Sequence, residues 1–196
     1  MSAHFHPNWS NGTAAVRGDK ILNGGIYYWE IKVSQRVFGT SMMFGIGTIQ
    51  TRLHIDAFVN LLGGDCQSMG LSHKGVAWYN NSWKQFTKPF RENENTCVGI
   101  LFNWFNGTLT YYKDGECLGV AFDGLNKIKE PLYPIISSTA AKTEMTLTNC
   151  RRCYTSLQDR CRRVIMSNLP SQQSVQQLPV AETSKEYLLQ DVSLSS

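Results

Sequence analysis

The chain has 196 residues, 42% of them hydrophobic, and 19 Lys and Arg against 15 Asp and Glu give it a net charge of +4. That is enough for one domain of ordinary size plus a tail, and too mildly basic for the dense cationic stripe of a nucleic-acid binder. No run approaches about 18 consecutive apolar residues, so no membrane-spanning helix is expected. No charged-then-apolar leader opens the sequence, and the six cysteines have no regular spacing. Free thiols in a non-secreted, cytoplasmic or nuclear chain are therefore expected rather than a disulfide framework.

From about residue 14 to 149 the sequence reads as short strands. Tyr27–Val33 is aromatic and β-branched, and Met42–Gly47 is a run of the buried type. Leu71–His73, Val76–Tyr79 and Pro134–Ile136 are further candidates. Cys97–Phe122 is the clearest piece: three apolar runs separated by Asn106-Gly107 and Asp114-Gly115. Both pairs accept the positive φ of a two-residue hairpin, so an antiparallel meander is expected. With no sustained 3.6-residue period before residue 150, the fold class is mainly β, an antiparallel β-sandwich.

After Leu147 the pattern changes, and Cys150–Leu169 reads as helical in period. Leu157, Cys161 and Ile165 recur at i, i+4 and i+8, with Val164 beside them, on one face of a short helix. Thr155 or Ser156 can cap it, with Gln158 or Asp159 at the capping-box position. A helix of about three turns does not hold itself together in water, so this apolar face must pack on the protein or on a partner. Arg151, Arg152, Arg160, Arg162 and Arg163 read as its solvated face. Ser167–Gln177 reads as a loop, Leu178–Leu189 as a second apolar patch ending in Tyr187-Leu188-Leu189, and Ser193–Ser196 as a disordered end.

Chemistry is sparse. His4, His6, His54 and His73 stand in no metal-ligand spacing, and the His4-x-His6 pair beside the terminus reads as solvent-exposed. Cys150-x-x-Cys153 lacks a second ligand pair nearby. No GxSxG elbow or phosphate-cradling glycine loop is present, so no catalytic residue, metal or cofactor is expected. Phe58–Asp65 reads either as a short core element or as a binding loop, and Ser137–Lys142 as small residues that turn a corner or admit a peptide backbone.

Gly12–Gly18, Tyr28–Ile31, Gly45–Gly47, Leu61–Gly63, Gly107–Leu109 and Leu132–Pro134 together resemble a SPRY domain. With the tail they resemble the SPRY domain- and SOCS box-containing proteins, and Ser138–Ala141 looks most like the third paralogue type. The resemblance implies a SPRY sandwich over residues 1–149 without the family's N-terminal strands, a SOCS box over 150–190, and a tail from 191. Ser156, Leu157, Cys161 and Ile165 match the family's Elongin C-binding pattern, with Leu157 as the anchor in a groove. Leu178, Pro179 and Val180 match its cullin-5 box, where Ala181 replaces the family's second proline. The implied function is a non-catalytic ubiquitin-ligase adaptor. It would bind Elongin B/C and cullin-5 with its RING-box protein, and hold substrate proteins by a short linear motif for ubiquitination and proteasomal degradation. Neither nucleic acid nor membrane is an expected partner. The family's peptide-binding positions fall on Arg17, Phe58, Leu61, Gly64, Thr139, Ala140 and Ala141. Most paralogues have Tyr at Phe58 and Trp at Ala140, so a more open pocket and a different peptide preference are expected here. A stand-alone SPRY interaction module, its tail packed on its own sandwich, is the alternative.

Overall fold

The computed structural model describes residues 1–35, 37–153 and 157–189. They form two compact units that divide between Cys153 and Tyr154. The first is built of thirteen strands. In chain order they are β1 (Ser2–Phe5), β2 (Thr13–Arg17), β3 (Ile26–Val33), β4 (Met42–Gly47), β5 (His54–Ile55), β6 (Ser68–Ser72) and β7 (Val76–Tyr79). There follow β8 (Ser82–Gln85), β9 (Thr96–Asn103), β10 (Thr108–Lys113), β11 (Glu116–Phe122), β12 (Tyr133–Ser138) and β13 (Thr143–Cys153).

The strands make two antiparallel sheets, a six-stranded one in the order β1-β13-β3-β9-β10-β11 and a seven-stranded one in the order β5-β2-β12-β4-β6-β7-β8. The expected β-sandwich is thus borne out. Alternation explains how the sheets meet. Along β3, Trp29, Ile31 and Val33 turn into the core, while Tyr28, Glu30 and Lys32 lie on the other face. Phe44 and Ile46 from β4 meet Ile100 and Phe102 from β9 and Leu109 and Tyr111 from β10. The Tyr111 hydroxyl donates to the Phe44 carbonyl at 2.8 Å, a hydrogen bond from one sheet to the other inside the core. Burial also pushes the Tyr111 phenol well above its ordinary pKa, so it stays a donor.

The Cys97–Phe122 meander forms as expected, with one correction. Asp114-Gly115 is a two-residue turn, with φ of 50° and 85° and Lys113 opposite Glu116. Asn106-Gly107 is not one: Asn103 pairs with Thr108, so four residues make the connection. The Asn103 side-chain oxygen accepts from the Phe105 and Asn106 N–H groups and stabilises that wider turn.

A second correction concerns Cys150–Cys153, which the sequence pattern reads as helical. These residues are the end of β13, where Cys150 pairs with Trp29, Arg152 with Tyr27 and Cys153 with Ile26. The Arg152 guanidinium lies 5.4 Å from the Tyr27 ring centroid. Pairing with a strand more than a hundred residues away overrides the local period.

The second unit holds α1 (Leu157–Ser167), a 3-10 helix at Gln172–Gln177 and α2 (Glu182–Leu189). Among the described residues, Val175 and Leu188 are its buried apolar side chains. Arg162 of α1 donates through Nε to the Leu188 carbonyl at 2.9 Å, and its guanidinium lies 5.9 Å from the Tyr187 ring centroid. That carbonyl sits in the last turn of α2, where intrahelical partners run out, so a cation suits it. No helix among the described residues is long and apolar enough to cross a membrane.

Candidate protein-interaction surfaces

The outer face of the seven-stranded sheet carries the first surface. Across it, Arg17, Ile135, Gly45, Gly70, Trp78 and Trp83 stand opposite one another in register on six successive strands. Residues 56–67 form neither strand nor helix, and they lie over this face. Leu62 fills the space above Gly70, where an added Cβ would come 3.0 Å from the Leu62 side chain. Leu62, Met43 and Ile135 make a small core of their own, with Leu61, Ala15 and Trp78 packed against it. Gly63 adopts φ of 80° and an added Cβ would sit 2.5 Å from the Trp78 backbone, so only glycine makes this close approach.

Thr13 ties the loop down at its other end. Its hydroxyl lies 2.8 Å from the Ala57 carbonyl and 2.9 Å from the Val59 carbonyl, and it accepts the Val59 N–H at 3.2 Å. Pinned at 57, 59 and 63, the loop presents Phe58, which is 50% exposed, and Val59 to solvent. Of the positions expected to bind peptide, Phe58 is thus the prominent apolar group. Leu61 is half-buried against the small core, and Gly64 is exposed.

The other expected positions divide. Thr139 and Ala140 are buried. The Thr139 hydroxyl accepts the Ser41 N–H at 3.0 Å and donates to the Ser41 carbonyl at 2.9 Å. A Cβ at Gly39 would stand 3.3 Å from the Ala140 methyl, so the turn before β4 lies directly on Ala140. Ala140 itself is 4% exposed, with the turn before β4 close beside it. Ala141 is half-buried. Arg17 stands apart. It pairs with Ile135, four residues before Thr139, which at about 3.3 Å per residue is ~13 Å along the strand. Its guanidinium donates to the Ile49 carbonyl at 3.0 Å and lies 5.8 Å from the Tyr133 ring centroid, so it braces the sheet edge.

His6 and Pro7, which the sequence did not single out for binding, lie near the Thr139–Ala141 turn. The His6 ring lies 3.1 Å from the Ser138 carbonyl, and the His6 carbonyl accepts the Lys142 N–H at 3.0 Å. His6 is half-buried with φ of 46°, which corrects the expectation of plain solvent exposure. A cleft of about 610 Å³ opens next to it, lined by His4, Phe5, Pro7, Ser34, Lys142 and Glu144 among others. In the sequence His6 stood out only as half of the His4-x-His6 pair.

His73 supports this end of the sandwich from within. It is buried, its N–H donates to the Met42 carbonyl at 2.9 Å, and its ring Nδ1 lies 3.4 Å from the same oxygen. Burial pulls its pKa below the ordinary 6.5, partly offset by that carbonyl. Because the folded value is the lower one, the unfolded chain binds more protons below pH 6.5. Stability is therefore full above about pH 6.5 and falls as the pH drops from there through the folded value. Denaturant unfolding between pH 7.5 and 5 should show this slope, and His73→Gln should flatten it.

The second surface is the apolar face of α1. Leu157 is 75% exposed, and Cys161, Val164 and Ile165 are exposed with it. Ser156 and Thr155, expected to begin the binding pattern and cap the helix, lie outside the described residues. Leu178 is half-buried, Pro179 and Val180 are exposed, and the Ala181 carbonyl accepts from the Ser184 and Lys185 N–H groups. Ala181 is thus the cap residue of α2, next to the position where proline suits a helix start.

The SPRY domain model matches residues 26–151, from the start of β3 into the last part of β13. The chain belongs to the SPRY domain family. It is 38% identical over 187 residues to SPRY domain-containing SOCS box protein 3 of Xenopus tropicalis, covering 94% of this chain and 51% of that protein. It is 28% identical over 201 residues to SPRY domain-containing SOCS box protein 1 of Homo sapiens, covering 95% and 72%. The chain therefore spans about half the length of the type 3 relatives it matches. Among solved structures, the SPRY domain of human HERC1 superposes with a TM-score of 0.54 at 15% identity, covering 76% of this chain and 86% of that one. The TRIM65 PSpry domain gives 0.53 at 20%, covering 72% and 69%. At these identities the likeness shows the SPRY fold. Among the described residues no group of three or more His, Cys, Asp and Glu is placed to hold a metal.

Proposed function

We propose that this SPRY protein is a non-catalytic substrate-recognition adaptor of an Elongin B/C–cullin-5–RING ubiquitin ligase. The observation that carries this reading is the unsatisfied apolar face of α1, with Leu157 at its start. A short helix with that face in water gains its stability by docking in a partner's groove. Likeness to proteins named for a SPRY domain and a SOCS box, extending over 94% of this chain and so into the tail, supports it. Ser156, Leu157, Cys161 and Ile165 would meet Elongin C, and Leu178, Pro179 and Val180 cullin-5. The sandwich would hold a short linear motif of the substrate at Phe58, Leu61, Gly64 and the Thr139–Ala141 turn, with His6 and Pro7 beside it. Ubiquitin transfer then follows from proximity of a substrate lysine to the charged conjugating enzyme, which makes degradation the outcome.

The test is reconstitution. Purified full-length chain should form a stable complex with Elongin B/C and recruit cullin-5 with its RING-box protein. Absence of Elongin from the complex would sink the reading. In the same assay Phe58→Ala should weaken capture of a bound substrate by about 1 kcal/mol or more, while Elongin binding stays unchanged. Arg17→Ala should leave capture near its original level, because that side chain serves Ile49 and Tyr133.

A further inference from the structure

The far edge of the seven-stranded sheet has features that the adaptor reading does not use. β8 is its last strand, and all four of its residues are exposed. Trp83 is 64% exposed, although its ring lies 6.3 Å from that of Trp78. β11 is the matching edge of the other sheet. A groove of about 480 Å³ opens between these edges, lined by Tyr79, Trp83, Lys84, Phe122, Leu125 and Ile128 among others. β12 is four strands away from β8, or ~19 Å at about 4.8 Å per strand, so this edge is distinct from the Thr139–Ala141 turn.

Charge says what suits it. Residues 66–91 contain Lys74, Lys84, Lys88 and Arg91 and not one Asp or Glu. The three lysines are exposed, and none of them joins an ion pair among the described residues. Lys84 stands opposite Ala77, whose side chain is buried, so its amine is directed to the groove side of the strand. Asp123 is the one carboxylate on the groove's lining. An edge lysine is a common guard against unwanted strand pairing. That guard accounts for Lys84 but not for a half-bare tryptophan beside it, on the outer face of the same strand. It also argues against a second copy of this chain as the occupant, since two β8 edges would bring like charges together.

We propose that β8 and the adjoining groove form a second docking edge, which takes an extended acidic segment of a partner protein as an added antiparallel strand. The backbone groups of β8 that face away from β7 supply the ladder, Trp83 takes an apolar side chain on the outer face, and Lys84 on the groove side, with Lys74 and Lys88, meets the carboxylates.

Three synthetic peptides test this on the full-length chain: Glu-Val-Glu-Phe-Glu-Val-Glu, its all-lysine counterpart, and the acidic peptide with proline at the centre. Calorimetry should give saturable binding of the acidic peptide, with at least about a tenfold preference over the lysine one. The proline peptide should bind at least about tenfold more weakly, because it loses a ladder donor. Hydrogen exchange should show new protection at Ser82–Gln85. A Lys84→Glu, Lys88→Glu double variant, altered only at exposed positions, should prefer the lysine peptide. The proposal is overturned if no saturable binding appears up to about 1 mM. It is equally overturned by equal binding of both charge types, by a preference that the double variant does not reverse, or by protection of β8 through concentration-dependent self-association.

Discussion

Leu157→Ala is expected to weaken capture of Elongin B/C strongly while leaving the chain's own unfolding transition where it was. The two halves of that result have separate causes. Leu157 is 75% exposed, so its truncation removes almost nothing from a core. Alanine is also the better helix former, so α1 loses no intrinsic preference. In a complex the same leucine would be an anchor in a desolvated pocket, worth about 2 kcal/mol or more, which is a loss of ~30-fold in affinity. Calorimetric titration of Elongin B/C, paired with a denaturant melt, reads both quantities. Unchanged affinity would mean that α1 docks elsewhere. A large fall in the melt would mean that Leu157 is part of the chain's own packing, which is the stand-alone reading of the tail. Adding Cys161→Ala should deepen the loss, since Cys161 lies one turn along the same exposed face.

The largest expected effect on stability is at Tyr111. Its ring is fully buried, it contacts Phe86 and Phe122 edge-on, and its hydroxyl reaches the opposite sheet at Phe44. Tyr111→Phe keeps the ring and loses the inter-sheet hydrogen bond, which should cost about 1 to 1.5 kcal/mol. Tyr111→Ala also opens a ring-sized cavity and should cost about 3 to 5 kcal/mol. Against a total stability of about 5 to 15 kcal/mol, the second change takes a large share. Urea midpoints at pH 7 should fall in the order wild type, Phe, Ala. Equal midpoints for wild type and Phe would show that the hydroxyl contributes nothing net. Elongin capture should persist in Tyr111→Phe, because the helical tail is a separate compact unit.

Much of the sandwich was legible in the sequence where neighbouring residues decide the outcome. Met42–Gly47 and Val76–Tyr79 form strands with the expected bounds, and Asp114-Gly115 makes the expected two-residue turn. β-branched and aromatic runs bounded by turn residues carry that information locally. Cys150–Cys153 misled because its partner, the start of β3, is far away in sequence. The four-residue turn after β9 misled because the Asn103 side chain, rather than the Asn-Gly pair, sets its width.

The candidate sites split along the same line. By itself the sequence determined that a SPRY-like sandwich is followed by a helix with Leu157, Cys161 and Ile165 on one face, since helical period is a local property. Only the tertiary structure decided which loop residues are surface groups. Phe58 is exposed because Thr13 and Gly63 hold its loop at both ends, whereas Thr139 and Ala140 are buried because Ser41 and Gly39 close over them. It alone separated Arg17 from the turn it was grouped with and brought His6 there instead. The physical reason is that burial and proximity depend on sheet register and on the hydrogen bonds that pin each loop. Both are set by residues tens to more than a hundred positions apart in the chain.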